Sequence, residues 1–177
     1  MNQTIEDLKT RRSIRKFKDE QISDEELKTI LEAGTYAPTG RGLQSPKIVV
    51  IQNPETIKEF SVWNRSYFPM EMPEDMDPFY GAPTLLIVLA DSEVPTWKED
   101  GSSVLAVLVN AAHAIGIGSC WIHRAYDEFS SKKGKELLKE WGIPESYEGV
   151  GHVVLGHPDM EAPEPLARKE DYIHYVD

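Results

Sequence analysis

The run Leu85-Leu86-Ile87-Val88-Leu89-Ala90 is continuously apolar and is closed by Asp91. A segment of this length and composition reads as a strand buried on both faces, and it is far too short to cross a bilayer. Ile48-Val49-Val50-Ile51 has the same character, and Ser119-Cys120-Trp121-Ile122 and Gly149 to Leu155 supply two further strands. Between them lie segments of helical period. Ser23 and Glu26 have capping-box spacing ahead of Leu27, Ile30 and Leu31, with Gly34 as the stop. Thr4 with Asp7 opens a first helix, Asn53-Pro54 opens another, and Ser130 starts one that passes Leu137, Leu138 and Trp141 to end at Gly142 and Pro144. From Asp100 to Ile115 the residues Val104, Leu105, Leu108, Val109, Ala112 and Ile115 leave only a narrow polar edge. Such a helix must be covered on most faces, at the centre of the fold or at a subunit interface. Tyr172 to Val176 reads as a terminal strand. The expectation is one α+β domain over residues 1–177, with helices flanking a mixed sheet.

One stretch fits neither period. Trp63 to Tyr80 combines prolines and methionines with the aromatics Trp63, Tyr67, Phe68, Phe79 and Tyr80. Long irregular excursions in compact domains are covers or binding loops, or surface excursions over a satellite cluster; aromatics and methionines suit a lid over a flat ligand.

Charge is distributed unevenly. The formal net charge is −11, yet Lys9-Thr10-Arg11-Arg12-Ser13-Ile14-Arg15-Lys16-Phe17-Lys18 carries six basic residues and no acidic one. The acidic remainder would repel a nucleic-acid backbone, so a compact ligand with one or two phosphates is favoured over a polymer, with a solvated cationic face as the alternative. Cys120 is the single cysteine, which excludes an internal disulfide and leaves no cluster for zinc or iron–sulfur; a reducing, cytoplasmic setting follows. Glu6 and Asp7 near the start, with no apolar core segment, argue against a secretory signal. No membrane or metal partner is expected.

Several standard sites are missing from the sequence. There is no G-x-x-x-x-G-K-[ST], no strand-to-helix G-x-G-x-x-G and no G-x-S-x-G. Gly116-Ile117-Gly118 sits after a helix and before a strand, the wrong order for a dinucleotide turn. His152 and His157 could share a metal only across a turn and with a carboxylate from elsewhere. His113 reads as a packed or hydrogen-bonded core residue, and Cys120, inside an apolar strand, as structural. His123 follows a buried strand directly, where loops of α/β folds carry ligands.

The order of residues in the basic run is informative. Arg11-Arg12-Ser13-Ile14-Arg15-Lys16-Phe17, after a short first helix, resembles the R-R-S-x-R-x-F opening of the FMN-dependent nitroreductases. Ala33 to Pro38 with Gln44-Ser45-Pro46 is similar to that family's A-P-S-x-x-N-x-Q-P segment. Tyr80-Gly81-Ala82-Pro83 precedes a strand as it does there, and Gly116 to Ile122 resembles G-L-G-T-C-W-I. Gly156-His157-Pro158, followed by Arg168-Lys169, resembles the closing G-Y-P and basic pair.

The resemblance implies a dimeric nitroreductase-like fold with a mainly antiparallel sheet, FMN as cofactor and FMN sites at the interface of a homodimer. It places Arg11, Ser13 and Arg15 on the phosphate or the pyrimidine edge of the flavin, with Arg12 assisting through main chain or side chain. Arg168 and Lys169 would complete the phosphate site, and Gln44 would lie near the ribityl chain and ring edge. Ile122, His123 and Arg124 align with the loop whose amides approach the reactive edge of the flavin. Two departures stand out: Gly42 replaces the family asparagine, and His123-Arg124 stands where glycines are common. The implied activity takes electrons from NADH or NADPH and passes them to nitroaromatic, quinone or similar small aromatic acceptors in a ping-pong cycle. FMN carries the chemistry, so no catalytic side chain is assigned. The competing reading is an FMN carrier without turnover.

Overall fold

The computed structural model describes residues 2–176. Four strands, β1 (Pro46–Ile51), β2 (Thr84–Asp91), β3 (Gly118–Ile122) and β4 (Tyr147–Gly156), form one sheet in the order β1-β2-β4-β3. Every pairing is antiparallel, so the sheet expected to be mixed contains no parallel pair among the described residues. Helices α1 (Gln3–Thr10), α2 (Asp24–Thr35), α3 (Pro54–Arg65), α4 (Trp97–Ala114), α5 (Ala125–Phe129) and α6 (Lys132–Glu140) surround it.

The strand period divides the core in two. On β2, Leu86 and Val88 face one way and join Val153 and Leu155 of β4, Ile30 of α2 and Leu105 and Leu108 of α4. Leu85, Ile87 and Leu89 face the other way, with Val154, Phe60, Phe79, Phe129 and Leu138. Both faces are covered, which is why β2 is apolar at every position from Leu85 to Ala90 rather than at alternate ones. Complete burial of each such side chain contributes about 1.5–3 kcal/mol of transfer free energy.

Local signals explain most helix ends. Ser23 and Glu26 form the reciprocal capping box of α2, with the Ser23 N–H 2.7 Å from Glu26 Oε2 and the Glu26 N–H 3.3 Å from Ser23 Oγ. Asn53 accepts from the Thr56 N–H at 2.9 Å and Pro54 occupies the first turn of α3. Several features differ from expectation. Asn2, not Thr4, caps α1. Helix α4 starts at Trp97, ahead of Asp100, because Asp100 is recruited into a tertiary contact instead of a cap. Helix α5 was not expected; it is five residues long and has no side-chain cap. Tyr172 to Val176 joins no strand and is exposed. The irregular excursion opens at Ser66, since Trp63 to Arg65 complete α3. No helix among the described residues is long and apolar enough to cross a membrane.

Candidate functional site

After α1 the chain runs along the outer edge of β3. The Ile14 N–H donates to the Ser119 carbonyl at 2.9 Å, and the Lys18 N–H donates to the His157 carbonyl at 2.9 Å. Ile14 and Phe17 turn into the core. Ser13 lies against the buried Cys120 thiol, on which the charges of Arg15 and Arg11 also act. Burial pushes that thiol up, and these three residues pull it partway back. Among the described residues neither Arg11 nor Arg15 has a carboxylate within ion-pair distance, although the protein is strongly acidic; Lys16, by contrast, is held by Asp159 at 2.5 Å. Arg12 behaves differently from its neighbours. One Nη donates to the carbonyls of Lys9 at 2.9 Å and Arg11 at 2.6 Å, and Nε is buried without a partner. Arg12 is thus folded back on its own backbone.

At the far end of β3, the loop into α5 is fixed by a buried amide. Asn64 of α3 is fully buried; its Nδ2 donates to the His123 carbonyl at 2.9 Å, and its Oδ1 accepts from Arg124 Nε at 3.1 Å. Across a trans peptide the carbonyl of one residue and the N–H of the next point in opposite directions. With the His123 carbonyl turned inward onto Asn64, the Arg124 N–H points away from the core. Arg124 itself has φ 80° and lays its guanidinium over the Phe68 ring, 3.7 Å from the centroid. Burial lowers its pKa from the usual arginine value, opposed by the charges of Glu128 and Asp127; an arginine so shifted is still a cation at neutral pH. Helix α5 can lie this close to the sheet because residue 149 is glycine: a Cβ there would stand 2.0 Å from the Ala125 carbonyl oxygen.

The third element is the loop from Thr39 to Ser45. Asp100 of α4, 3 % exposed, accepts from the Gly40 N–H at 2.8 Å, from Ser45 Oγ at 2.7 Å and from Thr96 Oγ1 at 3.2 Å. Within that loop Arg41 has φ 56°, Gly42 φ 68° and Gln44 φ 50°. Left-handed backbone at a residue with a side chain costs on the order of 1–3 kcal/mol and concentrates at functional positions. The buried carboxylate supplies the hydrogen bonds that hold the loop in this shape.

The sequence-derived candidates therefore fall in three places. Arg11, Ser13 and Arg15, with Arg12 behind them, and Ile122, His123 and Arg124 line the β3 edge. Gly42 and Gln44 lie beside β1, at the opposite edge of the sheet, three strand spacings or about 14 Å away. Arg168 and Lys169 sit in the exposed segment 161–176 and make no hydrogen bond or ion pair with the basic run among the described residues. A single chain does not bring the three groups together. The histidines resolve simply. His152 is fully buried and its Nε2 lies 2.5 Å from Glu128 Oε2, so it does not join His157. His113 Nε2 lies 3.0 Å from Thr10 Oγ1. No group of three or more potential metal ligands occurs among the described residues.

Comparison with known proteins decides the family. The model of the Nitroreductase family matches residues 8–157. The chain belongs to the nitroreductase family. It is 32% identical over 166 residues to an Archaeoglobus fulgidus protein provisionally named NADH dehydrogenase/NAD(P)H nitroreductase, covering 91% of this chain and 88% of that one. It is 31% identical over 167 residues to the NADPH-flavin oxidoreductase of Vibrio harveyi, covering 90% and 68%. Among solved structures, the Bacteroides fragilis nitroreductase with bound FMN superposes with a TM-score of 0.89 at 27% identity, covering 100% of both chains.

Two anchoring residues of this family member escaped the sequence reading, Asn64 and Asp100, whereas Phe68 was already among the aromatics of the expected lid. Asn64 carried a usable signal, since it falls four residues after Phe60 on the helical face of Ile57, Phe60 and Ser61, where a polar side chain must find buried partners. Asp100 looked like a helix start, and its bonds to residues 60 and 55 positions away had no local signature.

Proposed function

We propose that this chain is an FMN-dependent oxidoreductase that takes electrons from NADH or NADPH and delivers them to nitroaromatic, quinone or similar acceptors. The observation that carries the reading is the β3 edge, where two arginines without carboxylate partners among the described residues and Ser13 stand at one end and an anchored, outward-facing amide at the other. This donor set suits the group. Arginine forks and a hydroxyl match a dianionic phosphate or the pyrimidine edge, and an outward N–H matches a ring acceptor. Bound FMN supplies two-electron redox chemistry, charged from the nicotinamide and discharged to the acceptor in a ping-pong cycle.

The chain's own residues do the rest. Arg11, Ser13 and Arg15 hold the anionic and polar parts, and the amides of the Ile122–Arg124 loop favour negative charge on the reduced ring. Residues 66–80 cover the Arg124 loop through Phe68, and the Arg65 guanidinium, donating to the Glu74 and Met76 carbonyls, ties that cover to α3. A homodimer is part of the proposal. Gly42 and Gln44 are stranded at the far sheet edge and Arg168 and Lys169 in the exposed tail, and a second copy is the simplest source of these groups at each β3 edge.

The test is FMN titration of the apoprotein followed by absorbance. Wild type should bind, whereas Arg11→Ala and Arg15→Ala should each lose about 1.5–3 kcal/mol, roughly a 10- to 150-fold rise in Kd. Equal affinity in all three proteins would return the basic run to a solvated face.

A further inference from the structure

Arg124 is more constrained than binding a cofactor through its backbone requires. Its Nε is committed to Asn64 Oδ1 at 3.1 Å and its plane to Phe68 at 3.7 Å, so the guanidinium has one orientation. Asn64 is fully buried and holds the preceding carbonyl as well, so the side chain and its loop share one anchor. Asp127, Glu128 and Tyr80 influence the cation, yet no carboxylate among the described residues lies within 4 Å of it, and Glu128 is occupied with His152 at 2.5 Å. A half-buried, fixed guanidinium without a counter-ion is an incomplete site. What it lacks is a planar oxyanion for its Nη edge.

We infer that Arg124 is a specificity-determining residue that receives, at its Nη edge, the carboxylate of an aromatic acceptor. This rests on the proposed FMN site, because the same loop is the one placed at the reactive edge of the ring. A glycine in this position would leave the acceptor to be chosen by shape alone, whereas Arg124 adds a charge criterion. Lysine would be a poor substitute, since a point charge cannot keep both the Asn64 bond and a two-pronged contact.

The test uses FMN-loaded protein and non-reducible ligands. Calorimetric titration with benzoate and with benzamide should show benzoate favoured in wild type, with its affinity falling as salt is raised while that of benzamide holds. Arg124→Gln should weaken benzoate by roughly 10- to 100-fold and bring the two ligands close to parity, with Arg124→Lys between. In turnover, the preference for 4-nitrobenzoate over 4-nitrobenzyl alcohol should shrink in the same order. Equal benzoate affinity in wild type and Arg124→Gln, or salt-independent benzoate binding by wild type, would overturn the inference. So would a loss confined to NADPH, which would move the oxyanion to the electron donor. If FMN binds and nicotinamide reduces it but the benzoate preference is absent, the inference falls and the proposed function stands; if FMN does not bind, both fall.

Discussion

Asp100→Ala offers the clearest perturbation of the loop that carries Gly42 and Gln44. The carboxylate is 3 % exposed and accepts two short bonds, from the Gly40 N–H at 2.8 Å and Ser45 Oγ at 2.7 Å, with a longer third from Thr96. A hydrogen bond to a charged group contributes about 1.5–3 kcal/mol, and donors left buried without an acceptor carry their desolvation cost. Two such losses sum to about 3–6 kcal/mol, and relaxation of the half-exposed Gly40 toward water brings the expectation to about 3 kcal/mol. With a urea m-value of about 1–3 kcal/mol/M, the unfolding midpoint should fall by about 1–3 M at unchanged m. Asp100→Asn keeps the shape and the Gly40 bond, and Ser45 can turn to accept, so its loss should be about 1–2 kcal/mol. FMN affinity should fall in the same order. Unfolding free energies for both variants within about 0.5 kcal/mol of wild type would refute the assignment of Asp100 as the anchor of this loop.

Two further outcomes follow from the same contacts. Gly149→Ala places a Cβ 2.0 Å from the Ala125 carbonyl, so α5 must move; the melting temperature should drop by roughly 4–10 °C, and an unchanged melt would show that the packing is looser than described. Glu26 is held below the usual carboxylate range chiefly by the Ser23 side chain and also by its backbone N–H. A depressed carboxylate contributes stability above its unfolded pKa and loses it as the pH falls through the folded one. Ser23→Ala should therefore cost about 0.5–2 kcal/mol near pH 7 and less near pH 3, and a difference independent of pH would contradict the capping-box account.

What the sequence disclosed, and what it withheld, follows the range of the forces involved. The strands at Ile48–Ile51 and Leu85–Ala90 and the starts of α2 and α3 were legible because their causes are local: β-branched apolar runs, a Ser-x-x-Glu box, an Asn-Pro pair. The basic run stood out as a candidate ligand site because its charge is anomalous in an acidic chain. Helix α5 was not legible, since it depends on Gly149, more than twenty positions away, admitting it to the sheet. The division of the candidate residues between β1 and β3 edges was equally hidden, because strand order is a property of the assembled sheet. Met160 shows the same limit: its Sδ accepts from the Arg15 N–H at 3.2 Å, a contact that only the folded path of the chain creates.

The central claim is that the β3 edge holds a flavin and that the protein turns it over. The direct measurement is the absorbance of FMN-loaded protein mixed anaerobically with NADH and, separately, NADPH. Bleaching of the flavin within seconds by at least one of them, and its return when a nitroaromatic is added, is the predicted result. Flavin that binds tightly yet stays oxidised with both nicotinamides would contradict the claim and make the protein a carrier.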